Sequence, residues 1–272
     1  MRSSIRLSAA WPDTLVLPGH PTMPLRVQGY RDASAGRLVL HLHGGAFTGG
    51  GLRSGERLAQ LLVDSGAMVV SIGYPLAPAH RFPDAVEAGY AALEWLHRQR
   101  VRIAGPKARV FIAGEEAGGN LAAAIALMAR DRAAPPLAGL VLVAPMLDPC
   151  TATASQRAAQ GAQVQCRYAE GWSQYLRSPR DAEHPYAVPA FAQRLAGLPP
   201  TLVLAGEDDP MRDEAMAFAR RLEQADVCVR TGLIPATGWP GSLEQPTEPC
   251  PCAQAVQEQF SRFLAAPTPQ PS

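Results

Sequence analysis

Gly114-Glu115-Glu116-Ala117-Gly118 puts a carboxylate at the centre of a glycine-bounded turn. The apolar run Val110-Phe111-Ile112-Ala113 leads into it, and Gly119-Asn120-Leu121 leads away from it. A buried strand, a tight turn and a helix start make a nucleophile elbow, whose middle residue projects its side chain above a sheet. Serine at that point attacks acyl carbon once a neighbouring base removes its proton. Glu116 has different options: attack on alkyl carbon, acid or base work, or acceptance of hydrogen bonds.

The elements that must position this carboxylate are legible in the hydrophobic pattern. Apolar, β-branched runs at 14–18, 24–30, 37–43, 67–72, 109–113, 137–144, 201–204 and 227–233 read as about eight strands. Helical spacing predicts helices over 54–65, 84–99, 118–130, 213–225 and 252–265, with an irregular stretch between 144 and 201. Strands and helices in alternation predict an α/β fold, a mostly parallel central sheet covered by helices on both faces. Residues 1–265 read as a single domain and 266–272, Ala-Pro-Thr-Pro-Gln-Pro-Ser, as a disordered C-terminal tail.

Composition narrows the function. The 272 residues carry 25 Lys and Arg against 24 Asp and Glu, a net charge of +1 with both signs mixed along the chain. Nothing in that balance suits nucleic acid or a membrane surface. The first ten residues hold two arginines and no long apolar run, so neither a signal peptide nor a membrane span is expected and the location reads as cytoplasmic. Five cysteines lie at irregular spacings. Cys250-Pro251-Cys252 has one intervening residue and no histidine near it, which predicts reduced thiols rather than a metal site. No metal and no cofactor is expected.

Four motifs, in order, carry a resemblance. They are His43-Gly44-Gly45-Ala46-Phe47, Tyr74-Pro75-Leu76-Ala77-Pro78-Ala79-His80-Arg81-Phe82-Pro83-Asp84-Ala85, the elbow itself, and Asp209-Pro210-Met211-Arg212-Asp213-Glu214. Together they resemble the hormone-sensitive-lipase-like carboxylesterases of the α/β-hydrolase fold, over about residues 14 to 264. The resemblance implies an oxyanion hole built from the N–H groups of Gly44, Gly45 and Ala117. It implies Asp209 as the acid of a catalytic triad and places a histidine in the turn that here reads Pro235-Ala236-Thr237-Gly238-Trp239. Thr237 stands at that histidine position and Glu116 at the nucleophile position. The family carries a substantial N-terminal cap, whereas twelve residues precede Asp13, so the cap reads as largely missing and the pocket as more open to water. The residue before the nucleophile is typically aspartate; here it is Glu115.

Two of three triad members are therefore absent, and a serine-esterase mechanism lacks both its nucleophile and its base. The expected function is a catalytically impaired, hydrolase-like pseudoenzyme that binds a small ester- or acyl-like ligand. The alternative is non-serine chemistry through Glu116 and Asp209, as carboxylate nucleophile or acid/base pair. A carboxylate at the elbow can also reach the oxyanion donors and fill the hole itself, which would favour its charged form. Pocket-lining residues are expected to be His43, Ala46, Phe47, Glu115, Trp172 and Trp239, with Tyr175 close by; for Trp172 and Tyr175 packing under the irregular segment is the alternative. His41, His80 and His184 read as structural or surface residues, His184 being the best stand-in base. The last strand, near 227–233, reads as a sheet edge where related proteins dimerise, so a homodimer is expected there.

Overall fold

The computed structural model describes residues 11–29, 36–158, 162–235 and 251–266. Its centre is one eight-stranded sheet. The strands are β1 (Thr14–Leu15), β2 (Met23–Gln28), β3 (Arg37–Leu42), β4 (Met68–Ile72), β5 (Arg109–Glu115), β6 (Gly139–Val143), β7 (Thr201–Gly206) and β8 (Val229–Ile234). Their order across the sheet is β1-β2-β4-β3-β5-β6-β7-β8. The first two junctions are antiparallel and the remaining five parallel. Every residue of β4, β6 and β7 is buried, as parallel strands covered on both faces require.

The helices are α1 (Glu56–Asp64), α2 (Asp84–Ala104), α3 (Ala117–Asp131), α4 (Ala154–Ala158), α5 (Ala162–Tyr175), α6 (Arg212–Gln224) and α7 (Pro251–Ala265). The predicted elements are all present, with two corrections. Helix α2 runs on past residue 99 and buries Ile103 and Ala104 in its last turn. The stretch expected to be irregular contains α4 and α5. Helix α5 buries Tyr168, Trp172 and Tyr175, which recur at i, i+4 and i+7 on one face. Its Gly171 obscured the pattern, since glycine is a poor helix former. The fold needs glycine there because a Cβ would meet the carbonyl oxygen of Ala46.

Register brings the chemistry to one end of the sheet. Leu42 at the end of β3 pairs with Gly114 of β5, and Glu115 pairs with Val143 at the end of β6. The carboxyl ends of β3, β5, β6 and β7 thus converge, the place where open α/β sheets hold their sites. The expectation of reduced thiols holds for Cys150 and Cys228, which are free and exposed, and is corrected at Cys252, which is disulfide-bonded. Spacing alone cannot reveal such pairing. At the C-terminus, the Arg109 guanidinium donates to the carbonyls of Leu264 and Ala266. Residues 267–272 of the expected tail lie outside the described residues.

Candidate functional site

The elbow owes its shape to small residues on both sides of Glu116. A Cβ on Gly118 would strike the carbonyl oxygens of Leu42 and His43, and one on Gly114 would strike the backbone of Gly118. Glycine at both positions lets α3 start directly against β3 and β5. Glu116 itself sits at φ 53° and ψ −119°, a conformation that L-residues adopt only under constraint. The constraint is visible. The Glu116 N–H donates to Val143 O at 3.0 Å, and its carbonyl accepts from the N–H groups of Gly119, Asn120 and Met146. Asn120, fully buried, adds a bond from its Nδ2 to Met146 O at 3.1 Å.

The two glutamates of the elbow then reach the two glycines of the facing turn. Gly45 N–H donates to Glu116 Oε2 at 3.1 Å, and Gly44 N–H donates to Glu115 Oε1 at 3.1 Å. The second oxygen of each carboxylate is engaged as well. The half-exposed Arg167 of α5 places its Nη2 3.4 Å from Glu116 Oε1. Glu115 Oε2 lies 2.8 Å from His41 Nε2, and His41 Nδ1 lies 2.9 Å from Ser71 Oγ. His41 and Ser71 are buried and face each other across adjacent strands. Ala117 heads α3, where first-turn N–H groups have no intrahelical acceptor.

Asp209 lies in the loop after β7 and is completely enclosed. Its Oδ1 accepts the Met211 N–H at 2.7 Å, while its Oδ2 has no hydrogen-bond partner among the described residues. Burial is the main force that raises its pKa to about 7; the Met211 and Gly206 N–H groups oppose the rise, and the charges of Glu116 and Asp208 add to it.

An elbow at the carboxyl end of β5, a glycine turn facing it after β3, and a buried aspartate after β7 form one constellation. Residues 39–238 match the family described as the alpha/beta hydrolase fold. The chain belongs to the α/β-hydrolase family, in its hormone-sensitive-lipase-like carboxylesterase group. It is 35% identical over 228 residues to an ethyl acetate hydrolase of Pseudomonas putida, spanning 80% of this chain and 70% of that protein. It is 31% identical over 209 residues to an arylesterase of Saccharolobus solfataricus, spanning 75% of this chain and 68% of that one. Among solved structures, the hyperthermophilic esterase of the archaeon Pyrobaculum calidifontis superposes with a TM-score of 0.82 at 31% identity, covering 93% of this chain and 84% of that chain.

In this α/β-hydrolase the remaining residues named from sequence fall into four groups. His43 is buried beside the elbow; its Nδ1–H donates to Gly44 O at 2.6 Å, and its ring stacks on Tyr74 at 4.3 Å. Burial lowers the His43 pKa, which disfavours the charged imidazolium. Tyr74 O–H returns a bond to His43 O at 2.8 Å. Ala46 and Phe47 both have positive φ, at 48° and 65°, and both are buried. Phe47 stacks on Tyr175 at 4.0 Å and tilts against Trp172 at 5.0 Å, so these three rings form a buried cluster that ties α5 to the glycine turn. Trp172 Nε1 and Tyr175 Oη have no hydrogen-bond partner among the described residues.

The other histidines lie apart. His184 is exposed, accepts the Tyr186 N–H at its Nδ1 and rests on Phe82. His80 pairs with Asp84 at 3.2 Å on the surface. No histidine among the described residues hydrogen-bonds Asp209. Thr237 and Trp239 lie outside the described residues. Arg167 is the residue that sequence reading missed, because its partner in the chain is a glutamate 51 positions earlier on a different element. The helical spacing of the aromatics that follow it was the available signal. No group of three or more His, Cys, Asp or Glu among the described residues is arranged to hold a metal ion, and no described helix is long and apolar enough to cross a membrane.

Proposed function

We propose that this α/β-hydrolase-family protein is a disarmed esterase, a pseudoenzyme that binds a small ester- or acyl-like ligand and does not turn it over by serine chemistry. The observation that carries the reading is the bond from Gly45 N–H to Glu116 Oε2. In acyl transfer the turn amides must receive the oxyanion of the tetrahedral intermediate. Here Gly45 is taken by a carboxylate that also has Arg167 at its other oxygen, and Gly44 is taken by Glu115. A carboxylate whose oxygens are engaged by an N–H and a guanidinium is a weak nucleophile. Thr237, at the histidine position, can neither take nor give a proton near neutral pH. In comparable triads the loss of nucleophile or histidine costs roughly a million-fold in turnover. Gly44, Gly45 and Ala117 are the oxyanion-hole positions in this reading, and Asp209 the triad-acid position.

Thermal stabilisation by short-chain esters with no product release is the test. The reading expects a rise in Tm that grows with ester concentration, and turnover well above buffer would overturn it.

One observation favours a second reading. Asp209, with a pKa of about 7 beside Glu116, is poised for acid/base exchange at neutral pH. Under that reading Glu116 and Asp209 work as an acid/base pair, or Glu116 attacks alkyl carbon and forms an ester as the substrate's carbon–halogen or epoxide C–O bond breaks, releasing halide or leaving the ring-opened alkoxide to be protonated. Mass spectrometry after incubation with epoxides or haloalkanes separates the cases, since only a nucleophile leaves an adduct on the Glu116 peptide. The exposed edge strand β8, with Leu233 at its surface, is the proposed homodimer contact.

A further inference from the structure

Asp209 Oδ2 is enclosed, and no protein group among the described residues donates to it. An oxygen in that condition is costly unless a donor reaches it. The charges around it are mostly negative. Glu116 from the elbow and Asp208 from the same loop both act on Asp209, and Asp209 in turn acts on Glu214 in the first turn of α6. Arg167 sits at Glu116 Oε1, and buried His43 is disfavoured from carrying charge. The turn amides of Gly44 and Gly45, which would otherwise receive an anion or a carbonyl, already serve Glu115 and Glu116. What this end of the site can accept is therefore a positively charged N–H donor.

We infer that the Asp209–Glu116 end of the site binds the ammonium group of a small organic amine. The inference rests on the binding reading above and narrows the ester- or acyl-like ligand to one that carries a cationic nitrogen. The ammonium donates to Asp209 Oδ2 and lies in the field of Glu116. It stands in for the imidazolium that a triad aspartate holds in an active esterase.

The test uses n-butylammonium chloride as probe, with sodium butyrate and 1-butanol as controls of the same chain length. Binding to the full-length protein is followed by calorimetry and thermal shift at pH 6 and pH 8. An alkylammonium stays charged at both values. Asp209 passes from mostly protonated to mostly ionised between them, so affinity for the amine rises about tenfold. Butyrate and butanol give no comparable stabilisation. Asp209→Asn removes the pH dependence and most of the affinity; Glu116→Gln weakens binding and serves if the first variant does not fold. Equal binding of butyrate, amine binding that does not strengthen with pH, or no amine binding at pH 8 would overturn the inference. Ester turnover by the wild type is a separate readout that overturns only the disarmed-esterase reading.

Discussion

Glu116 and Gly45 meet across the site, carboxylate oxygen to amide nitrogen, at 3.1 Å. One position earlier in each segment, Glu115 and Gly44 repeat the contact at the same distance. Two consecutive glutamates thus bond two consecutive glycines, and the elbow is tied to the facing turn at two points. The consequences of this pairing can be measured.

Gly44 has no room for a side chain. A Cβ there would lie 2.7 Å from Glu116 Oε2 and 3.1 Å from Glu116 Cβ. Gly44→Ala is expected to cost about 1–3 kcal/mol in urea denaturation. Combined with Glu116→Ser, which removes the obstructing carboxylate, the same change should cost clearly less, and the double-mutant cycle should show coupling. Strict additivity would mean that the two side chains do not meet.

Removing Glu115 strands two partners at once, the Gly44 N–H and His41 Nε2. Glu115→Ala is expected to destabilise the protein by about 2–4 kcal/mol, because each buried group left unpaired carries its own desolvation penalty. Glu115→Gln, which keeps an acceptor for one of the two, should lose less. Denaturant midpoints of the two variants decide the matter.

These contacts mark the boundary of what the sequence could convey. The order of strands and helices was readable because buried parallel strands are continuously apolar and the helices keep their spacing. Asp209 and the glycines of the turn were readable through the motifs that carry the family resemblance, and Gly45, at φ 121°, also has a backbone that favours glycine. Glu116 was expected to fill the oxyanion hole, and its carboxylate does bond Gly45. That Gly44 would go to Glu115 was not readable, since it depends on how a side chain turns at the end of β5. Arg167 was hidden for the same reason. Its contact with Glu116 joins two elements far apart in the chain, and α5 was itself unrecognised.

The contribution of Asp209 to stability should fall as pH rises through the acid range, against the opposite contributions of Asp131 and Asp213, whose pKa values are lowered. Unfolded, Asp209 ionises near 3.8; folded, it ionises at about 7. Below about pH 4 both states hold the proton and nothing is lost. Between about 4 and 7 the unfolded state gives up its proton first, and stability declines by up to about 4 kcal/mol, levelling off above 7. Glu214, also raised by burial, acts with the same sign. Asp209→Asn ionises in neither state, so its urea midpoint should decline less from pH 5 to pH 8. An unchanged slope would contradict the assignment.

The charge of Glu116 contributes to the raised Asp209 pKa. Glu116→Gln keeps the side chain's size and removes that charge. The Asp209 carboxyl, followed by its 13C shift, should then titrate below its wild-type value. A rise would mean that Glu116 is not the neighbour that matters.

The central claim is that an esterase framework survives while its acyl-transfer chemistry has been switched off at two positions. Hydrolysis of short p-nitrophenyl esters by the wild type and by the Glu116→Ser, Thr237→His double variant tests it most directly. The account predicts no turnover above buffer for the wild type and measurable turnover for the double variant. Wild-type turnover that disappears in Glu116→Gln would contradict it.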